Sequence, residues 1–357
     1  VHRIGALPGE GIGPEVVGAA LDVLAALDGL GGLSLELRVG PQVASRAGWA
    51  PGRLTEAEAH FVEEVFGDGG AVLCGPRGGR FVYDLRERFD LFCELTPVRP
   101  LTVLSDTGPC RAETVRDADL VFVGESLGGL YFGSHRKHRR AGSLREASHR
   151  FGYKRRAVDR ILRVAVGLAL LRRGRLSLVQ KSSGAPSISS LWLEAALQLA
   201  EPLGVELELL EVDNACYQVV ADARHFDVVV SPSLFGDGLA DVAALLLGSR
   251  GVSHSASFGE QGRAVYQTGH GAARDLAGSD RANPLGQILS LASLLEESFG
   301  LGELAAAVRT GTQAVLADGW RTPDLLAPGC TPVGTRELGK RIAERAHAAA
   351  LRADEPA

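Results

Sequence analysis

Short apolar runs alternating with segments of helical period leave this chain few folds to choose from. Ile4 to Leu7, Ala71 to Leu73, Leu120 to Val123, Leu176 to Val179, Val205 to Leu210 and Val228 to Val230 each read as a strand. Leu33, Leu35, Leu37 and Val39 alternate with polar residues, a further strand signal. Helical patterns lie between these runs. Pro14 opens one that carries Val17, Leu21, Leu24 and Leu27 on one side; proline is tolerated there because the first helical N–H has no partner to lose. Thr55 with Glu58 reads as a capping box for a helix through Phe66. Ala157 to Leu171, about Ser190 to Leu199, and Pro284 to Leu295 give further helices. The alternation predicts an α/β protein with a largely parallel central sheet. No repeat or long linker interrupts it, and the tail after about Asp354 is expected to fray.

At 357 residues the chain is long enough for one large or two medium domains. A net charge of −5 offers no general attraction to nucleic acid or an anionic membrane. No apolar run approaches the roughly 20 residues that cross a bilayer, and Val1-His2-Arg3-Ile4 begins no signal-peptide pattern. The five cysteines form no CxxC pair, which points to reduced thiols and a cytoplasmic setting. One stretch departs from the average charge. Residues 133–156, "GSHRKHRRAGSLREASHRFGYKRR", hold many Arg and Lys against Glu146 alone. It reads either as a solvated arm or as a landing surface for an anionic partner or a phosphorylated substrate.

The chemistry is most legible in "FDVVVSPSLFGDGLADV", residues 226–242. A strand ends at Ser231-Pro232, and Asp237 and Asp241 then fall four apart, on one side of a helix. Two such carboxylates repel unless a cation lies between them, although either could simply cap or decorate a helix. A helix start outside the carboxyl end of a strand is where open α/β sheets bind ligands. Asp213, in "EVDNACYQ", follows another apolar run in the same way. Three aspartates without a Cys/His cluster suit a hard divalent cation, Mg²⁺ or Mn²⁺. The glycine-rich "GALPGEGIGPEVV" follows a strand but does not match GxGxxG with an acidic residue about 20 positions on.

These stretches together resemble the isocitrate/isopropylmalate dehydrogenase family, the metal-dependent β-decarboxylating dehydrogenases. The matching segments are "LPGEGIGPEV" (the family usually has Asp where Glu10 stands), "LRERFDLFCELTPVRP", "GGLYFG", "VDNACYQ", "FDVVVSPSLFGDGLADVAALLLGS" and "HGAARDLAGSDRANPLGQILS". They occur in family order over nearly the whole chain. The resemblance implies a two-domain fold that is not a Rossmann fold, with residues 1–99 plus 251–357 in the larger, cofactor-binding domain and 100–250 in the smaller. It implies Asp213, Asp237 and Asp241 as metal ligands. Lys181 would remove the substrate's hydroxyl proton, with its pKa lowered beside the cation. Tyr131 would protonate the carbon left after CO₂ departs; on its own it would read as a packed aromatic. Lys181 and Asp213 would come from the neighbouring subunit of a homodimer, whose clasp would be the 133–156 arm. For the cofactor the resemblance implies Ile12, His270, Gly271, Asp275, Leu276 and Asn283, with Asp275 accepting the ribose hydroxyls and so favouring NAD over NADP. Arg274 and Arg281 are cations near that position.

The chain departs from the family where the substrate's leaving carboxylate would be held. Of three expected arginines Arg86 is present, while Thr96 and Gly124 stand in place of the others. Neither can make a bidentate contact to a carboxylate. The specificity loop is short, and Val82, Tyr83 and Arg80 are expected to face the substrate's variable group; Arg80 could meet a distal anion or be an ordinary surface residue. These changes point to a 2-hydroxy acid related to a 3-substituted malate, other than isocitrate or isopropylmalate, in a specialised biosynthetic pathway. Other readings are a non-decarboxylating dehydrogenase on a phosphorylated or carrier-bound hydroxy acid, with the basic arm as docking surface, and a non-catalytic regulatory subunit. A dead subunit would have no chemical need for Asp213, Asp237, Asp241, Lys181 and Tyr131 together.

Overall fold

The computed structural model describes residues 1–30, 33–42, 52–140 and 143–353. The tail expected to fray lies outside them. From the N-terminus come β1 (His2–Leu7), α1 (Gly13–Leu27), β2 (Leu35–Val39), α2 (Glu56–Gly67), β3 (Ala71–Cys74), α3 (Phe81–Phe89) and β4 (Cys93–Val98). Next are α4 (Ala112–Val115), β5 (Leu120–Glu125), and a hairpin of β6 (Ser134–Arg140) with β7 (Ser143–Arg150). The middle of the chain gives α5 (Arg155–Leu171), β8 (Arg175–Gln180), α6 (Pro186–Ala200), β9 (Glu206–Glu211), α7 (Val212–Ala221), β10 (Val228–Ser231) and α8 (Ser233–Ala243). The remainder gives β11 (His254–Phe258), β12 (Ala264–Thr268), α9 (Leu285–Glu297), α10 (Gly302–Ala317), the two-residue β13 (Trp320–Arg321) and β14 (Thr331–Pro332), and α11 (Thr335–Ala353).

Ten strands form one sheet in the order β2-β1-β3-β12-β11-β4-β5-β10-β8-β9. The pairs among β2, β1, β3 and β12 are parallel, as are those among β5, β10, β8 and β9. The pairs β12–β11, β11–β4 and β4–β5 are antiparallel. The largely parallel sheet is therefore two parallel blocks that run in opposite directions, joined through the central strands. Local sequence signals hold well. The Thr55–Glu58 capping box is present in full, and α1 starts with its proline in the first turn. The alternating 35–39 segment is a strand, but an edge strand: Leu37 and Val39 are 41% and 60% exposed.

Side-chain alternation sorts the cores. In the first block Leu73 and Tyr266 share a cluster with Leu291 and Ile288 of α9, while Val72 and Val265 pack with Val62 of α2 and Phe81 and Leu85 of α3. In the second block Val121 and Val228 pack with Ile161 of α5 and Trp192 of α6. Phe122 and Val229, one residue on, cluster with Val219 of α7 and Leu239 of α8. Register carries one row across the middle of the sheet: Val265, Ser257, Glu94, Gly124 and Ser231 are successive neighbours. Cross-strand partners point to the same side. So α2 and α3 cover one end of this face and α7 and α8 the other, and polar side chains occupy the strip between them.

Candidate active site

That strip floors an open cavity of about 270 Å³. Its walls come from α3 and α8, and Val82, Tyr83, Arg86, Thr96, Gly124, Asp237 and Asp241 all line it. The segment read as a short specificity loop is the start of α3, so Val82 and Tyr83 sit on a helix that ends at Asp90 in the left-handed region, φ 51°. Arg86 projects from α3 with a side chain only 7% exposed. Its Nη2 lies 2.5 Å from Glu94 Oε1, and its Nε donates to Ser257 Oγ at 3.2 Å. Arg80 does not line the cavity; its Nη1 donates to the Tyr131 carbonyl at 3.2 Å.

The first turn of α8 is fixed by Tyr153, whose hydroxyl accepts the Ser233 N–H at 3.0 Å. Tyr131 sits in a short turn just after Gly129, which has φ 73° and where a Cβ would collide with the Tyr153 hydroxyl and Ser233 Oγ. A side chain there would be strained twice over, so the glycine of "GGLYFG" is required for this approach. The Tyr131 phenol and the Asp237 carboxyl act on one another across the cavity wall, and the Tyr131 ring lies 4.8 Å from that of Tyr83. Burial, then the negative charge of Glu94, pushes the Asp237 carboxyl up to about 7, against the pull of Arg86. Burial, then the Asp237 charge, raises the Tyr131 phenol well above its ordinary range.

Lys181 follows β8 and Asp213 opens α7 after β9, at the same end of the sheet as α8. They do not line the cavity. Lys181 Nζ instead donates to Asp213 at 3.1 Å and lies 3.4 Å from Glu211. Contact with Asp213, then with Glu211, raises the Lys181 pKa, where a neighbouring cation was expected to lower it. Within this one chain the ammonium has two carboxylates for neighbours, which favour its charged form. Among the described residues no group of three His, Cys, Asp or Glu could hold a metal ion. Asp237 and Asp241 nevertheless fit half of a hard-cation site: two oxygen donors, one turn apart, on one cavity, one of them a half-buried carboxylate whose pKa is raised. Asp241 Oδ1 bonds Arg250 at 2.7 Å.

Arg250 also lines a second, more open groove of about 580 Å³, so the two cavities adjoin at this ion pair. Ile12, His270, Gly271, Leu276, Asn283 and Arg281 line the groove; Asp275, exposed beside Leu276, does not. Gly11, φ 59°, lets the N-terminal loop press onto the Ala272 carbonyl, where a Cβ would clash, and Ile12 N–H donates to that carbonyl at 2.9 Å. His270 Nδ1 lies 3.0 Å from its neighbour's carbonyl oxygen, Nε2 has no partner, and desolvation lowers its pKa. Asn283 Oδ1 accepts the Leu285 N–H at the start of α9, and its amide donates to Asp324 at 2.9 Å. Arg274 is held by Glu10 at 2.5 Å and is absent from the groove's lining.

Sequence reasoning did not single out Glu94, Ser255 and Ser257 around Arg86, Tyr153 under α8, or the Glu10–Arg77–Glu58 cluster. Glu94 stands inside a quoted motif, but only the strand register reveals what it touches.

A family model described as isocitrate/isopropylmalate dehydrogenase matches residues 3–342. The 3-isopropylmalate dehydrogenase of Prochlorococcus marinus (strain MIT 9313) is 37% identical over 96% of this chain and 98% of its own length. That of Bacillus subtilis (strain 168) is 37% identical over 90% of this chain and 91% of its own. The crystal structure of isocitrate dehydrogenase from Methylococcus capsulatus superposes with a TM-score of 0.83 at 28% identity, covering 97% of this chain and all of that one.

Proposed function

The chain belongs to the isocitrate/isopropylmalate dehydrogenase family, and from that premise we propose that it oxidises a 2-hydroxy acid related to a 3-substituted malate and releases its β-carboxylate as CO₂. It is an NAD-dependent dehydrogenase that works with Mg²⁺ or Mn²⁺. The observation that carries the reading is the placement of Asp237, Asp241 and Arg86 on one cavity, with the Tyr131 phenol close enough to Asp237 for each to shift the other and a second groove adjoining at Arg250. When bound, NAD supplies the hydride acceptor and the divalent cation the Lewis acid.

The chain's own residues divide the remaining work. Asp237 and Asp241 would hold the cation, with Asp213 of a second copy. Arg86 would orient the β-carboxylate, and Val82 and Tyr83 would face the substituent on C3. Lys181, also from the second copy, would accept the hydroxyl proton while the C2 hydride leaves; for this it has to shed the proton that Asp213 and Glu211 now favour. Breakage of the C3–carboxylate bond leaves its electron pair on C3. Tyr131, which keeps its proton well above neutral pH here, would deliver a proton to that carbon. Ile12, His270, Gly271, Leu276 and Asn283 would seat the adenosine, with Asp275 at the ribose. Holding Arg274 on Glu10 supports NAD over NADP.

A homodimer follows from the same reading, because Lys181 and Asp213 do not reach the cavity of their own chain. The β6–β7 hairpin supports it: the side chains of β7 are all exposed, and a lone two-stranded ribbon is marginal in water without something to pack on. The proposed domain division falls between β4 and β5, with β1–β4, β11 and β12 on one side and β5 and β8–β10 on the other. The test is to supply 3-substituted malates with Mn²⁺ and NAD and follow NADH and CO₂ together. NADH with equimolar CO₂ is expected; NADH alone refutes the decarboxylation, and neither product refutes the dehydrogenase.

A further inference from the structure

Two charged side chains line the substrate cavity and have no part in the reading above. Arg77 is committed to Glu10 and Glu58. Glu94 is not fully committed. It stands on β4, 16% exposed at its side chain, directly opposite Gly124 on β5 and two residues before Thr96. Its Oε1 takes both Arg86 Nη2, at 2.5 Å, and the Ser255 hydroxyl, at 3.1 Å. Its Oε2 lies 3.9 Å from where a Cβ on Gly124 would be. The glycine therefore leaves room beside a carboxylate oxygen that can still accept.

The charge balance of this corner follows. Thr96 and Gly124 bring no cation, the Arg86 guanidinium is already paired with Glu94, and Arg77 is spent on Glu10 and Glu58. A substrate carboxylate meets an ion pair and not three positive forks, and a further carboxylate or an alkyl group near Oε2 meets repulsion or strips water from an acceptor without replacing it. A group that brings its own hydrogens replaces that water.

We propose that Glu94 is a specificity-determining residue, and that the 2-hydroxy acid this enzyme takes carries a hydrogen-donating substituent, an ammonium or a hydroxyl, where an alkyl group or third carboxylate would otherwise sit. The proposal rests on the dehydrogenase reading for the location of the substrate. Oε2 accepts from the donor, Arg86 faces the adjoining carboxylate, and the Thr96 and Ser255 hydroxyls complete the corner.

The test is equilibrium binding by calorimetry to the purified enzyme with Mn²⁺ and NADH present. Four probes are compared: 3-hydroxyaspartate for the ammonium, tartrate for the hydroxyl, 3-isopropylmalate for the alkyl group and isocitrate for the third carboxylate. The first two are expected to bind at least about tenfold tighter than the last two, because a charge-assisted or well-formed hydrogen bond is gained and no acceptor is left dry. Glu94→Gln should cut the ammonium probe's affinity about tenfold or more and narrow its advantage over the alkyl probe. Equal or tighter binding of 3-isopropylmalate or isocitrate by the unaltered protein overturns the proposal and needs no variant to fold. An unchanged ammonium-to-alkyl ratio in Glu94→Gln overturns it as well. If the binding order is as expected and no probe yields NADH when NAD replaces NADH, the corner's selectivity stands and the reaction fails; NADH from 3-isopropylmalate alone does the reverse.

Discussion

Arg77 carries its charge at 3% side-chain exposure between Glu10 and Glu58, which are 4% and 2% exposed. Removing one member of such a set strands the others without water. Arg77→Ala should therefore cost about 3–5 kcal/mol in urea unfolding, far more than loss of an exposed pair such as Arg111–Glu113. Tyr131→Phe keeps the ring beside Tyr83 and loses only the hydroxyl near Asp237. Its stability should stay close to that of the parent, while the proposed protonation step should slow about a hundredfold or more in kcat. His254 gives a pH signature. Desolvation pushes its pKa down to about 4, below the 6.5 of a free imidazole. Between those values the unfolded chain binds the proton and the native protein does not. Stability should thus fall as pH drops from 6.5 to 4, by about 2–3 kcal/mol, and His254→Gln should flatten that slope in unfolding curves taken across the range. Residues such as Asp237 and Asp241 could be read from spacing alone because helical period fixes their shared side. Glu94 could not, because its meaning depends on partners more than a hundred positions away, such as Ser255.

Strands were legible where apolar side chains run together or alternate cleanly, and not where polar residues interrupt the pattern. β3, β5, β8 and β10 read as apolar runs because both their faces meet packed side chains. β4 and β11 did not, because "CELTPV" and "HSASF" turn Glu94, Thr96, Ser255 and Ser257 toward the cavity or its arginine; the function of the face erased its signature. Helix α3 was hidden for a related reason, since its start serves as a cavity wall. The basic arm was recognised by charge alone, and its form as β6 and β7 required seeing the antiparallel register. If the arm clasps a second copy, replacing Arg136 and Lys137 by Glu should shift the protein from dimer toward monomer in sedimentation velocity. A dimer that persists with a raised KM would favour docking of an anionic partner instead.

At the scale of the whole molecule, alternation along the chain predicted an α/β sheet but not that its parallel halves oppose each other, which depends on the central antiparallel strands. The proposed reaction needs residues from both halves and from a second chain. Exhaustive chelation should abolish NADH formation and lower the midpoint of thermal unfolding measured with substrate present; Mn²⁺ should restore both. The ladder between β4 and β5 runs unbroken from Cys93–Glu125 to Val98–Leu120, beneath the place where α3 and α8 face one another. Any approach of those two walls must then curl the sheet along its strands, like a page rolled toward its spine, without unzipping that ladder. Amide protons along the two strands should accordingly exchange slowly whether or not a ligand is bound, while protection gained on binding appears in the walls.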